Sequence, residues 1–205
     1  SSQDPSCFYK ACGNEDATLE IIQLLYKIFP GALRLRDDDD GDLPIHCLCL
    51  NKYLDDTNSL DILRFMLEVD PTLPRETNNR GSLPIHFAVT RKSTIFCKQL
   101  INAYPESLRM YTGGRLPIRL AFTHGKRDDT ADTIQYMLEL DPELINAENS
   151  NGCLPIHYAA WYGRIESIEL LLKFDPDAAS KEINDGTRRL PLHVTCDYDA
   201  NLSKV

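Results

Sequence analysis

The sequence lacks the features that would place this chain across a membrane or on nucleic acid. No apolar run approaches the ~20 residues needed to span a bilayer, and no basic start followed by an apolar centre marks a signal peptide. Positive charge is also scarce, since 22 lysines and arginines against 31 acids give a net charge of -9. Nucleic acid and anionic membranes require a clustered positive surface. We therefore predict no membrane span and no nucleic-acid ligand.

The cysteines lack the paired spacing of a disulfide framework or a metal site. There are seven of them, an odd number, and most stand where a small apolar residue would serve. This predicts free thiols and a cytoplasmic or other reducing intracellular compartment. The chain starts at Ser1 without a methionine, so a missing targeting segment and a fragment of a larger protein remain open alternatives.

Motifs that carry catalysis are missing as well. The chain has no Gly-rich phosphate loop, zinc-finger spacing or nucleophile elbow, and no Ser, Cys or Thr has a recognisable base beside it. Hydrophobic residues make up 42% and charged residues 26%, which is ordinary for a folded protein. We predict a folded chain that is not an enzyme and uses no cofactor.

What the sequence does contain is one repeated four-residue box, Leu-Pro-Ile-His or a close variant. Its leucines are separated by steps of 40, 33, 38 and 36 residues, and a glycine stands two positions before each of the first four boxes. The boxes begin at Leu43, Leu83, Leu116, Leu154 and Leu190. Self-similarity at this period is typical of repeat architectures.

A second proline closes an apolar stretch in every unit. Counting back eight, five and four residues from this proline always finds an apolar residue, which is the spacing of a buried helix face. The stripes are Ile22, Leu25, Tyr26; Leu63, Met66, Leu67; Cys97, Leu100, Ile101; Ile134, Met137, Leu138; and Ile168, Leu171, Leu172. The box proline itself suits the first turn of a helix. Each unit is thus predicted to be two helices followed by a polar, hairpin-like turn.

These units resemble the ankyrin repeat, whose usual box is Thr-Pro-Leu-His-x-Ala with a period near 33. The best copy runs from Gly152 to Gly163 and matches Pro155, His157 and Ala159 in register. The resemblance covers essentially the whole chain and implies an all-α solenoid of stacked helix-turn-helix units. The main departure is leucine for threonine at the start of every box, which removes a hydroxyl that in the family bonds the box histidine.

The resemblance implies a single divergent array over residues 1–205. The predicted units are 1–40, a degenerate N-terminal repeat; 41–80; 81–113; 114–151, with an insertion between its helices; 152–185; and 186–205, an incomplete C-terminal repeat.

The box histidines invite comparison with a metal site, because Cys49 and Cys196 each follow a box histidine by three residues. A residue that recurs at one place in every unit is more simply explained by the structure of the unit. The third box, moreover, has Arg119 at this position. We therefore predict a structural role for the histidines and no metal.

An acidic run, Asp37 to Asp42, is expected at a hairpin tip. It resembles a calcium loop in composition, but with Gly41 at loop position six, Arg36 and Cys47 would occupy the first and last ligand positions. A solvated turn is favoured, and a cation site or a docking point for a basic patch on a partner stays open.

Partner contacts are expected where the units differ, beside the box and at the hairpin tips. Trp161, the only tryptophan, leads this set because aromatic side chains dominate interface energetics; packing against the next loop is its alternative role. The predicted partner-binding residues are Trp161, Tyr162, Arg91, Thr123, His124, Asp39, Asp42, Arg80, Arg115, Asn151 and Tyr198.

The resulting functional hypothesis is a non-catalytic scaffold or adaptor that binds a protein on the concave face of the array. Two alternatives remain: a regulatory or targeting domain of a larger enzyme, kinase or channel, and a structural subunit of a large complex.

Overall fold

The chain forms an array of paired α-helices. The computed structural model describes residues 7–124 and 129–202, and for His124 and residues 197–202 it describes the helical backbone alone. The eleven helices of the described residues are α1 (Cys7–Cys12), α2 (Leu19–Ile28), α3 (Pro44–Leu50), α4 (Asp56–Val69), α5 (Pro84–Arg91), α6 (Thr94–Ala103), α7 (Pro117–His124), α8 (Thr130–Leu140), α9 (Pro155–Trp161), α10 (Ile165–Phe174) and α11 (Pro191–Leu202).

Helices of the same kind stack on one another. Each odd-numbered helix contacts the next odd-numbered one from α1 to α11, and the even-numbered helices do the same from α2 to α10. Each element therefore touches its sequence neighbours and its counterpart in the next unit. This confirms the predicted all-α solenoid, while the exact repeat boundaries stay a prediction.

The two proline positions act at different points of the unit. As predicted, the box proline is the first residue of α3, α5, α7, α9 and α11, where its missing N–H leaves no carbonyl unpaired. The closing proline was expected only to end a helix. It also begins a short 3₁₀ turn in four units, at Pro30–Arg34, Pro105–Arg109, Pro142–Asn146 and Pro176–Ser180.

The predicted apolar stripes form the core. Ten of their fifteen residues are buried, and the other five are half-buried and pack against that core. The half-buried residues are Leu25, Tyr26, Leu67, Ile168 and Leu172. Fully burying a side chain of this size stabilises the fold by about 1.5 to 3 kcal/mol, so each stripe contributes substantially to the stability of its unit.

The connecting loops are hairpin-like, as the sequence indicated. The Asn149 side-chain oxygen accepts the backbone N–H groups of Asn151 and Cys153 at 2.9 and 2.8 Å, which closes the turn. Gly152 then lies against the next hairpin: its φ is +69°, and a Cβ there would come within 2.6 Å of the Asn184 backbone. Only glycine permits this conformation and this close stacking of hairpins.

In the described ranges, no helix combines the length and the apolar character that crossing a bilayer requires. All seven cysteines lie in these ranges, and no two of them are joined by a disulfide.

Candidate partner-binding groove

Three box histidines connect the first helix of a unit to the hairpin segment that follows its second helix. The Nδ1 atoms of His46, His86 and His157 accept the backbone N–H of their own box leucine at 3.0, 2.9 and 3.1 Å. Their Nε2 atoms donate to carbonyl oxygens of the hairpin segment that follows the second helix: Glu76 and Ser82 for His46, Met110 for His86, and Lys181 for His157. The leucine N–H thus bonds the ring where the family's threonine hydroxyl is missing, and the local network is kept.

These contacts require the neutral form of the ring. Burial is the main influence and lowers the pKa of His46 to about 4, and it also lowers the pKa of His86 and His157. Since both nitrogens already have backbone partners, neither offers a free lone pair to a metal. Across residues 7–124 and 129–202, no three His, Cys, Asp or Glu side chains form a group that could hold an ion.

Arg119 occupies the histidine position of the third box but behaves differently. Its guanidinium carbon lies 4.6 Å from the centre of the Tyr158 ring, a cation–π contact with the next first helix. Its Nε is buried without a hydrogen-bond partner, and Nη1 lies 3.5 Å from the Gly114 carbonyl oxygen. The side chain therefore reaches a surface cavity instead of the following hairpin.

This cavity, which we call the Trp161 cavity, has a volume of about 560 Å³. It lies between two hairpins and the helices α7, α9 and α11. Its lining residues are Arg119, Asn149, Ser150, Asn151, Cys153, His157, Tyr158, Trp161, Tyr162, Ile183, Asn184, Asp185, Arg189 and Val194. Of the predicted contact residues, it brings Trp161, Tyr162 and Asn151 together.

The Tyr158 hydroxyl adds a second unsatisfied polar atom to the same cavity. It is buried near Asn149, Cys153 and Arg119 and has no hydrogen-bond partner of good geometry. Burial raises the pKa of Tyr158 to about 12, so the hydroxyl keeps its proton and can donate it. Native proteins leave few buried polar groups unpaired, and two such atoms at one cavity indicate a place for a polar ligand group.

A second cavity, the Arg91 cavity, has a volume of about 350 Å³. Its lining residues are Leu50, Arg80, Ser82, His86, Phe87, Thr90, Arg91, Thr112, Gly113, Arg115 and Leu120. It unites the predicted contact residues Arg80, Arg91 and Arg115. Because Leu120 and Arg119 are successive residues of α7 and line different cavities, the two cavities flank this helix. We call them together the groove.

The acidic hairpin is mostly occupied by its own contacts. Asp37 accepts the backbone N–H groups of Asp40 and Asp42, and Asp40 pairs with Arg80 at 2.6 Å. Asp42 is only 5% exposed, accepts the Asn78 side-chain amide at 2.8 Å, and has its pKa raised chiefly by burial. Contrary to our prediction, Asp42 is therefore not available to a partner, whereas Asp39 is exposed at the tip.

Three further predicted residues lie outside the two cavities or outside the described side chains. Thr123 is half-buried, and its hydroxyl donates to the Leu120 carbonyl at 2.9 Å. His124 and Tyr198 lie on α7 and α11, but their side chains fall outside the described part of the structure.

Sequence reasoning missed Arg119, Tyr158 and Arg189 as groove residues. A signal for Arg119 was present, since it is the one box residue that breaks the histidine pattern. Tyr158 and Arg189 carry no such mark, because their place in the cavity depends on how neighbouring units stack.

Comparisons with known proteins agree with this architecture. Residues 85–185 match the family model described as ankyrin repeats, in three copies. The transient receptor potential cation channel subfamily A member 1 of Homo sapiens is 25% identical over 164 residues, which are 77% of this chain and 14% of the channel. Inversin of Canis lupus familiaris is 23% identical over 176 residues, 85% of this chain and 15% of inversin. The chain thus spans about a seventh of the length of these relatives.

A solved structure shows the same fold over the full length. It is a chain of the complex titled "Bd0816 Predatory Endopeptidase from Bdellovibrio bacteriovorus in complex with immunity protein Bd3460", with a TM-score of 0.73, 24% identity, and coverage of 100% of this chain and 98% of that chain. The family match, the box in every unit and the stacked helix pairs lead to one assignment. Residues 85–185 of this chain are ankyrin repeats.

Proposed function

We propose that this chain is a non-catalytic protein-interaction array that holds a partner protein in the groove. The observation that carries the proposal is the grouping of six predicted contact residues in two neighbouring cavities. These are Trp161, Tyr162, Asn151, Arg80, Arg91 and Arg115. Ankyrin repeats are protein-interaction modules, and the solved structure with this fold comes from a complex of two proteins.

The groove has the chemistry of an interface. Trp161 is half-buried and Tyr162 is 37% exposed, so each ring presents apolar area with a polar handle. The two groove side chains that could act in catalysis, Cys153 and His157, are held in unreactive states. Burial is the main cause that raises the pKa of Cys153, which keeps this thiol protonated, and both ring nitrogens of His157 have backbone partners.

The exposed part of the acidic hairpin supports a secondary contact. Asp38 and Asp39 are exposed at its tip, on a chain of net charge -9, and would attract a basic patch at the edge of the partner. Seven free thiols support a cytoplasmic or other reducing intracellular compartment.

A second candidate is that the array is the regulatory or targeting part of a larger protein. It is favoured by the relatives, of which the matched segments are only 14% and 15%. In this case the groove would bind either another part of the same protein or a separate partner, and the same residues would carry the contact.

The test compares partner capture by the intact chain and by Trp161→Ala/Tyr162→Ala. We expect at least a tenfold loss of bound partner, because truncated hot spots typically weaken binding by about 2 kcal/mol or more each, with unchanged helicity by circular dichroism. The matched control is Tyr53→Ala/Phe174→Ala, which removes two exposed aromatic rings outside the groove.

Equal capture by the folded double variant would overturn the proposal. Should that variant unfold, Asn151→Glu gives the answer instead, since it places a bulky negative charge at an exposed groove position without disturbing the core. Full capture by Asn151→Glu together with unfolding of the double variant also counts against the groove.

A further inference from the structure

We propose that the groove recognises an acidic, extended segment of the partner, with carboxylates bound by Arg91, Arg115 and Arg119. This inference rests on the proposed function and adds the chemistry of the partner. It differs from the expectation drawn from the acidic hairpin, which concerned only a basic patch at the edge of the interface.

The charge of the groove is opposite to the charge of the chain. The protein as a whole carries 31 acids against 22 lysines and arginines. Among the described side chains that line the two cavities, by contrast, five are arginines and a single one, Asp185, is a carboxylate. A concave surface lined by one sign of charge focuses the field on a ligand of the opposite sign.

Two of these arginines already have acidic partners. Arg80 pairs with Asp40 at 2.6 Å and Arg189 pairs with Asp185 at 3.3 Å. These pairs hold the rims of the groove in place and contribute little net positive charge.

The other three arginines are available to a ligand. In the described part of the chain, no carboxylate lies within 4.0 Å of the charged nitrogens of Arg91, Arg115 or Arg119. Arg91 and Arg115 are exposed, and Arg119 is half-buried with an unpaired Nε. The planar guanidinium binds a carboxylate through two parallel hydrogen bonds. In the partly desolvated Trp161 cavity such a pair is stronger than in open water.

The remaining lining suits an extended polypeptide. The side-chain amides of Asn151 and Asn184 and the Tyr158 hydroxyl offer hydrogen-bonding groups for a peptide backbone or a polar side chain. Trp161 and Tyr162, in the same cavity, present apolar ring faces. The groove therefore fits acidic residues interspersed with an apolar or aromatic residue.

A nucleic acid matches the groove less well. A phosphate backbone needs a continuous positive track, whereas the exposed Asp38 and Asp39 lie on the hairpin whose Asp40 holds Arg80 at the rim. The array as a whole would repel a polyanion through its net charge of -9.

The experiment selects random twelve-residue peptides displayed on phage against the full chain. Enriched peptides are synthesised with a fluorescent label, and their Kd is measured by anisotropy in 50 mM and 300 mM NaCl. We expect enrichment of Asp and Glu and weaker binding in the higher salt. In Arg91→Gln/Arg115→Gln/Arg119→Gln we expect at least tenfold weaker binding, equivalent to about 1.4 kcal/mol.

The matched control, Lys27→Gln/Arg64→Gln/Lys173→Gln, removes the same charge from exposed positions on second helices. It should bind the peptides as the unmodified chain does. Equal weakening by this control would show a general charge effect and overturn the site.

Enriched peptides that are neutral or basic, and that lose binding in Trp161→Ala/Tyr162→Ala, would overturn the acidic segment while supporting the groove as an interface. The absence of any enriched peptide would also overturn the inference, and partner capture by the Trp161 and Tyr162 variant would then decide the proposed function by itself. A labelled single-stranded RNA of 20 nucleotides that binds as tightly as the best peptide, and is released by the arginine substitutions, would assign the groove to nucleic acid.

Discussion

His86 and Arg119 occupy the same position of the box in two successive units, yet they do different things. The His86 ring is 2% exposed and bridges the Leu83 N–H and the Met110 carbonyl, each at 2.9 Å. Arg119 is half-buried, leaves its Nε unpaired and lies over the Tyr158 ring. His86 joins its box to the hairpin segment that follows, and Arg119 faces the Trp161 cavity.

The difference shows how a repeat protein can acquire a site. The hydrogen bonds of the box histidine recur in several units. One unit can lose them and still fold, because its apolar stripe and its stacked neighbours also stabilise it. The residue released from the scaffold then becomes available for binding. On this interpretation His86 variants should change stability, and Arg119 variants should change ligand binding.

The largest expected effect is the loss of stability when the structural histidine His86 is replaced. His86→Ala should lower the free energy of unfolding by about 3 kcal/mol, because it leaves a buried N–H and a buried carbonyl unpaired and opens a cavity. Arg119→Ala should lower it by less than about 1 kcal/mol, since the side chain makes one cation–π contact and one long hydrogen bond. Urea unfolding followed at 222 nm measures both, and equal losses would contradict the comparison.

The second largest effect is expected from acid, which should lower the free energy of unfolding by protonating the box histidines. In the unfolded chain His46 takes up a proton near its ordinary pKa of 6.5, but in the fold its pKa is about 4. The unfolded state therefore binds more protons between these values. The contribution of His46 is complete above pH 6.5 and is lost as the pH falls toward 4, by roughly 2 kcal/mol between pH 7 and pH 5.

Urea midpoints at the two pH values check this expectation. His46→Gln should be less stable at pH 7 but should show a flatter pH dependence than the unmodified chain. A His46→Gln variant with an unchanged slope between pH 7 and pH 5 would assign the acid sensitivity to other groups.

The smallest effect should come from restoring the box in the fourth unit. Arg119→His allows Nδ1 to accept the Leu116 N–H and Nε2 to reach the carbonyl of Ala147, the residue that follows the 3₁₀ turn as Met110 does in the preceding unit. One or two added hydrogen bonds should raise the free energy of unfolding by about 1 kcal/mol. Affinity for acidic peptides should fall in the same variant. A loss of stability would mean that the fourth unit cannot accept the scaffold contact.

Much of the fold follows from local rules that a single sequence displays. The box proline starts a helix because its ring presets the backbone angle, and the i, i+3, i+4 stripe ending at Leu138 is buried because only one face of α8 is apolar. The repetition of these marks made the helix pairs and their stacking predictable. The structural role of His46 also followed from its recurrence.

The candidate site could be predicted from the sequence only in part. The positions of Trp161 and Arg91 beside the box could be read from the repeat, but Asp42 could not, since its burial depends on Asn78 in the next hairpin. Likewise, nothing local to Tyr158 shows that its ring lies under Arg119, 39 positions before it in the chain.

The sequence by itself therefore determined the unit, with its two helices, its hairpin-like turn and a structural histidine in the box, because these depend on short-range periodicity and backbone geometry. Only the tertiary structure decided which side chains share a cavity and which charges cancel between hairpins, because contacts such as Asp40 with Arg80 and Arg119 with Tyr158 join residues 40 and 39 positions apart. An acidic chain with an arginine-lined groove is the result of that arrangement.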